Sequence, residues 1–299
     1  MATLLTVQAH PDDESIGMGG TIAKAVREGH RVVLVTATRG EQGEIVVPAM
    51  DTPENHRKLG EIRATELETA LGHLGVTEWE NLGYRDSDMM GRAGNRDARS
   101  FWQADLDEAA GRLTWLIRQT RPDVVTTYND FGGYGHPDHI RVHDVSIRAF
   151  ERAGDPSWYP GQLGGEGGVD VWSPKKLYEQ AIPASVRKLM SEALEAAGEP
   201  SRWAEPEGAT EEERAAWREQ MARMLVPDET ITTWVDVSDV IEQKWNATRA
   251  HVTQMADTNA FMQFGLDGWR RLWNKEAYVL RESRVPVSPP ESDLFAGLS

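Results

Sequence analysis

Five consecutive residues, His10-Pro11-Asp12-Asp13-Glu14, bring one imidazole and three carboxylates to a single point of the chain. Such side chains bind divalent cations and move protons, and hydrolysis needs one of them kept off the metal. His10 and Asp13 read as two ligands, with Asp12 left free between them. The plainer reading is helix capping: Asp12, Asp13 and Ser15 precede a helical pattern and complement its dipole. Capping needs one such residue, however, and has no use for the histidine. A zinc site built for hydrolysis takes three protein ligands and a water. The third ligand must come from elsewhere, and His136-Pro137-Asp138-His139 supplies a candidate far downstream. His139 and His143 also have the spacing at which two histidines on one helix bind zinc. That pair competes with His10 and Asp13, and His143 is read as structural. His30, His56, His73 and His251 lack acidic or histidine neighbours at ligand spacing and read as surface or packing residues.

The elements that must position these groups follow from the apolar pattern. Pro11 has no N–H and a fixed φ, so the apolar run at 4–9 stops there and the chain turns. The runs at 3–9 and 31–37 are strands joined by a helical pattern over 16–28, which Gly29 ends. This βαβ unit implies a parallel sheet with a right-handed crossover. Continuous apolarity in both strands implies helices on both faces. Helices are expected at 54–74 and 106–119, and strands at 79–83 and 123–128. The second histidine cluster repeats the layout of the first: strand, loop, then a helix opening. Ligand sites in doubly wound sheets form outside the carboxyl ends of the strands, and His10 and His139 both lie just past such an end.

The expected fold is α/β: a Rossmann-like, mostly parallel sheet with helices on both faces, plus a smaller mixed, largely helical C-terminal region. Residues 1–180 form the catalytic metal-binding domain, and 181–299 complete the pocket. A glycine-rich stretch at 154–170 is a linker or active-site loop, and a second Gly/Pro-rich loop spans 198–209. Strands at 176–182 and 230–235, helices at 185–197, 210–224 and 238–255, and an extended surface tail at 284–293 complete the reading. Eight of the eleven tryptophans lie from Trp158 onward. They read as core, with pocket walls as the second reading.

Composition narrows the chemistry. A net charge of −16 argues against a nucleic-acid partner, which demands a basic face. With 39% apolar and 27% charged residues the chain reads as an ordinary soluble globular protein. There is no cysteine, so disulfides and thiolate metal sites are excluded, and any metal is held by His, Asp or Glu. Zn²⁺, Fe²⁺, Mn²⁺ and Ni²⁺ all suit such ligands. No signal peptide or membrane-length apolar segment is evident, and the cytoplasm is the expected compartment. Gly17-Met18-Gly19-Gly20 lacks the third glycine of a dinucleotide loop, since Ile22 stands in its place. No serine-hydrolase elbow or P-loop is present.

Together, the AHPDDE stretch, Gly40-Glu41-Gln42-Gly43-Glu44 and GGYGHPDH resemble the zinc-dependent PIG-L/LmbE-type deacetylases. The resemblance spans essentially the whole chain. It is closest to the mycothiol-pathway pair, an N-acetylglucosaminyl-inositol deacetylase and an S-conjugate amidase. It implies a small-molecule amino-sugar substrate, with His10, Asp13 and His139 holding Zn²⁺ and Asp12 as general base. It further implies that Tyr134 stabilises the oxyanion and that His136, oriented by Asp138, is general acid or electrostatic stabiliser. Glu44, Arg63 and Asp86 match positions that contact sugar and cyclitol hydroxyls. Gly135 and Ile16-Gly17-Met18 lean toward the deacetylase branch, whereas the Arg-Val-Pro stretch near the end leans toward the amidase. The residues themselves agree with this chemistry. A metal acidifies water and polarises an amide carbonyl, and Asp12 beside the ligand pair can accept the proton.

Three other readings stand beside the deacetylase: the S-conjugate amidase, a deacetylase of another N-acyl amino sugar, and a non-catalytic metal-binding module. The last would keep His10, Asp13 and His139 but would have no use for Asp12. Neither a membrane nor a nucleic-acid partner is expected, and self-association into a homo-oligomer stays open.

Overall fold

The structure, a computed structural model, describes residues 1–165, 167–196, 205–206, 208–256 and 260–298. Chain order begins with β1 (Thr3–Gln8), α1 (Asp13–Arg27), β2 (Arg31–Thr36), α2 (Pro53–Arg57), α3 (Leu59–Leu74) and β3 (Glu78–Asn81). It continues with α4 (Leu106–Thr120), β4 (Val124–Thr127), the single turn α5 (Gly132–Gly135), α6 (Pro137–Arg152) and β5 (Lys176–Pro183). The remaining elements are α7 (Ala184–Ala196), α8 (Glu211–Met224), β6 (Leu225–Val226), β7 (Thr233–Asp236), α9 (Ile241–Ala250), α10 (Ala260–Gln263), α11 (Gly265–Leu272) and β8 (Lys275–Ser283).

One sheet runs β3-β2-β1-β4-β5-β8-β7, and β6 pairs with the end of β5. The first five strands are parallel, while β8 is antiparallel to both β5 and β7. Successive side chains of a strand face opposite ways, and β1 is apolar on both faces. Leu4, Leu34 and Val124 pack with Ile22, Leu67 and Ala247, from α1, α3 and α9. Leu5, Val7, Val35 and Val125 pack on the other face with Leu113 of α4 and Val145 of α6. The mostly parallel α/β sheet covered on both faces is therefore as the sequence indicates. Position 180 lies inside β5, and β7 and β8 of the C-terminal region extend the same sheet.

Several expected elements differ in detail. The helix expected at 54–74 is two helices, because Lys58 leaves the helical conformation between α2 and α3. The helix expected to reach residue 255 stops at Ala250, where His251 turns inward. The tail at 284–293 is exposed only in part. Glu291 is buried and accepts hydrogen bonds from Lys176 Nζ (2.9 Å) and Tyr178 Oη (2.7 Å). Leu294 and Phe295 then enter the core, with Phe295 stacked on His30. Trp245, Trp269 and Trp273 form a small apolar cluster of their own. Most of the loop expected at 198–209 lies outside the described residues.

A buried ion pair ties the C-terminal region to α1. Lys244 Nζ lies 2.6 Å from Glu276 Oε1, and the same carboxylate accepts the backbone N–H groups of Gly20 and Thr21. Removing one partner strands the other charge in the core. Lys244→Met is expected to destabilise the fold by about 3–5 kcal/mol in urea unfolding, and the added change Glu276→Gln should recover part of that loss.

Candidate metal centre

β1 delivers His10 to the end of the sheet, and the next residue but one sets the geometry. Asp12 has φ +108° and ψ −33°, a left-handed backbone that L-residues rarely adopt. α1 begins immediately after it at Asp13, yet the Asp12 side chain makes no capping hydrogen bond. The capping explanation therefore leaves that carboxylate unused. The turn sends consecutive carboxylates in different directions. Asp13 Oδ2 lies 3.4 Å from His10 Nδ1 and 3.4 Å from His139 Nε2. Asp12 Oδ2 instead lies 3.2 Å from an Arg63 guanidinium nitrogen.

The second histidine cluster arrives from β4. Its loop passes through Gly132 at φ +64°, where a Cβ would stand 2.6 Å from His139 Cβ, so only glycine fits. His136 caps α6, its Nδ1 accepting the Asp138 backbone N–H at 3.1 Å. Nitrogens of His10, His136 and His139 lie within 4.8 Å of one another, and all three residues are buried. Tyr128, at the end of β4, accepts the Ala9 N–H and stacks on the His139 ring at 4.2 Å. Tyr134 Oη is 3.5 Å from His139 Nε2, and the residue is 40% exposed, which places it at the mouth of the site.

The loop after β3 supports the cluster from below. His10 Nε2 lies 3.1 Å from Asp138 Oδ2 and 3.7 Å from Asp86 Oδ1. A carboxylate on the far nitrogen of a ligating histidine fixes its tautomer and direction. Asp138 is itself held by the Ser87 N–H at 3.0 Å and by the Ser87 hydroxyl. Its side chain thus orients His10, while its backbone touches His136. Asp86 accepts the Gln42 and Asp88 N–H groups and is buried.

Arg63 and Glu44 occupy very different settings. Arg63 is buried, and it donates to Pro11 O (2.5 Å), Gly40 O (2.9 Å) and Asp12 Oδ2. Gly40, at φ +67°, makes room for it, since a Cβ there would meet the guanidinium at 1.9 Å. Glu44 is exposed, and its carbonyl is tied to Gln254 Nε2 at 2.9 Å. His143 turns away from the cluster, its Nδ1 donating to the Tyr128 carbonyl at 3.0 Å.

The donor set fits a divalent cation. Ligand atoms bound at about 2.0–2.2 Å around a tetrahedral metal stand about 3.4 Å apart, and Asp13 Oδ2 has that spacing to both imidazole nitrogens. Nitrogen and carboxylate ligands of this kind suit zinc. Protonation is partitioned to match. Burial raises the Asp13 carboxyl, but His139 and His10 outweigh it and hold it well below the usual range. Burial also raises Asp12, with Arg63 opposing, and leaves it at about 6. His136 is pushed down to about 2, by burial first and then by the charges of His10 and His139.

Ser87, Tyr128 and the His251–Glu14 contact were not singled out by sequence reasoning. The polar Arg85-Asp86-Ser87 loop and the aromatic closing the 123–128 strand were visible signals for the first two. His251 Nε2 lies 2.8 Å from Glu14 Oε1, and both residues are completely buried. That partner stands 237 positions away, beyond the reach of local spacing.

An α/β sheet carrying a His/Asp cation site at its strand ends defines a metallohydrolase-type centre, and comparison with known proteins narrows it. Residues 5–150 match the profile of the family described as PIG-L: GlcNAc-PI de-N-acetylase. A deacetylase of Geodermatophilus obscurus, named for 1D-myo-inositol 2-acetamido-2-deoxy-alpha-D-glucopyranoside, is 41% identical. The match covers 99% of this chain and 97% of that one. The enzyme of the same name from Acidothermus cellulolyticus is 40% identical over 99% of this chain and 95% of its own. Among solved structures, the N,N'-diacetylchitobiose deacetylase of Pyrococcus horikoshii aligns with a TM-score of 0.62 at 20% identity, covering 100% of this chain and 86% of that one. A 4-carboxy-2-hydroxymuconate hydratase from Pseudomonas putida aligns at 0.61 and 18%, covering 96% and 99%. These two likenesses show a shared fold and no more. The chain belongs to the PIG-L family, and it is a metal-dependent amidohydrolase.

Replacement tests the candidate ligands. His10→Ala and His139→Ala are each expected to lose bound zinc on dialysis. Glu44→Ala should retain one zinc per chain by elemental analysis.

Proposed function

We propose that the chain hydrolyses the acetamide of 1D-myo-inositol 2-acetamido-2-deoxy-alpha-D-glucopyranoside, consuming one water and releasing acetate and the free amine. The observation that carries this reading is the match, along 99% of the chain, to relatives named for that reaction at about 40% identity. In this reading His10, Asp13 and His139 hold the metal, and the enzyme acts on its small amino-sugar substrate in the cytoplasm.

When bound, the cation polarises the amide carbonyl and acidifies the attacking water. Asp12 takes the proton from that water, which its separation from the ligand Asp13 leaves it free to do. His136 stays neutral, and because its Nδ1 accepts the Asp138 N–H, its own proton sits on Nε2. That N–H donates to the oxyanion as it develops, with the Tyr134 hydroxyl as a second donor from the mouth. The departing amine then receives its proton from Asp12. A carboxyl held at about 6 exchanges protons near neutrality, whereas His136 at about 2 cannot store one. Arg63 steadies Asp12, and Asp86 and Glu44 face the sugar and cyclitol hydroxyls.

The base must be ionised to work, so kcat/KM rises with pH through the Asp12 pKa and is lost below it. A bound cation adds positive charge beside Asp12, so this acid limb should lie at or below pH 6. Asp12→Asn is expected to remove the limb and lower kcat about 10²- to 10⁴-fold, with metal content unchanged. The substrate is tested by measuring amine release from the N-acetylglucosaminyl-inositol and from a mycothiol S-conjugate side by side. A preference for the first supports the reading, and a preference for the second assigns the S-conjugate amidase reaction instead.

A further inference from the structure

The catalytic turn is held by residues from the far end of the chain. α9 stops at Ala250, and residues 251–254 cross α1, α3 and the loop after β2 as a short strap. His251 Nε2 lies 2.8 Å from Glu14 Oε1, where the Ser15 hydroxyl also donates at 2.5 Å. The other oxygen of Glu14 accepts the backbone N–H of Asp12 at 2.9 Å. One buried carboxylate therefore links the imidazole to the peptide group of Asp12.

The strap has further anchors. The Thr253 N–H and hydroxyl both bind the Glu66 carboxylate, at 2.8 and 2.7 Å. Glu66 lies on α3 three residues beyond Arg63, the residue that grips Pro11 O and Asp12 Oδ2. The Thr253 carbonyl accepts the Val46 N–H at 2.9 Å, and Gln254 holds the Glu44 carbonyl. The contacts with Glu14 and Glu66 end on α1, which starts just after Asp12, and on α3, which carries Arg63.

A non-glycine residue at φ +108° costs free energy and persists only where its surroundings over-determine it. The Asp12 N–H to Glu14 contact is one such restraint, and His251 fixes the rotamer of Glu14 that makes it. We propose that His251 is a positioning residue for the reaction: through Glu14 it fixes the Asp12 peptide and hence the direction of the Asp12 carboxylate. Among the described residues its imidazole hydrogen-bonds Glu14 and Ser15, and neither the proposed ligands nor the Asp12 carboxylate. This inference rests on Asp12 being the general base.

The alternative role of the pair is structural support alone, and catalysis separates the two. His251→Ala is expected to lower kcat about 10- to 100-fold, with KM and zinc per chain unchanged. The amide nitrogen of glutamine falls near the position of the imidazole Nε2, so His251→Gln should recover most of the loss. Should His251→Ala fail to fold, Glu14→Met, which keeps the side-chain length and removes the acceptor of the Asp12 N–H, carries the same expectation for kcat, KM and zinc. In an Asp12→Asn background, adding His251→Ala should cost nothing further, because residues acting as one unit are not additive. The same fold-loss in both backgrounds, or wild-type kcat in His251→Ala, overturns the positioning role while leaving the deacetylase reading intact. Absence of amide turnover in the wild-type protein overturns that reading, and the inference with it.

Discussion

Two carboxylates on consecutive residues repel one another when buried, and one of them then takes up a proton unless each finds its own counter-charge. The turn at Asp12 resolves this conflict. Its left-handed backbone directs Asp13 to His10 and His139, where the carboxyl stays ionised well below its usual range. The Asp12 carboxylate meets Arg63, and burial raises it to about 6. In the proposed mechanism one residue is a ligand and its neighbour a proton acceptor, and the difference between them is set by the backbone rather than by residue type. The rest of the architecture serves that turn. β1 ends there, α1 starts there, and Arg63 holds both the Pro11 carbonyl and the Asp12 carboxylate.

The sheet explains why the groups meet at all. β1 and β4 are hydrogen-bonded neighbours with Leu4 opposite Val124, so the loops that leave their carboxyl ends emerge side by side. His10 comes from the first and His136 and His139 from the second. The loop after β3 then closes the cluster, as Asp138 spans His10 Nε2 and Ser87. The C-terminal region extends the sheet through β8 and lays the 251–254 strap over α1 and α3.

How much of this was legible in the sequence depended on range. The parallel α/β sheet showed in the continuous apolar runs, because strands covered on both faces have no polar side to show. His10, Asp13 and His139 stood out because each sits in a dense local motif at a strand end. The deeper contacts left no such mark. The family resemblance implies a substrate contact for Arg63, yet its guanidinium is taken up by Pro11, Gly40 and Asp12, which converge only after α3 packs against α1. His251 has no acidic neighbour in sequence, and its partner Glu14 is supplied by folding alone. The helix expected to reach residue 255 ends at Ala250, where the buried carboxylates Glu14 and Glu66 bind His251 and Thr253. The prolines of the tail point to a surface path, but Glu291 is drawn in by Lys176 and Tyr178.

The division of labour between Asp12 and Asp13 is the central claim, and zinc K-edge X-ray absorption tests it directly. Protein loaded with one zinc per chain should show two imidazoles and a carboxylate oxygen among its ligands. Asp12→Asn should leave that spectrum unchanged, and Asp13→Ala should alter it. A third imidazole from His136, or a spectrum that changes when Asp12 alone is replaced, would contradict the account.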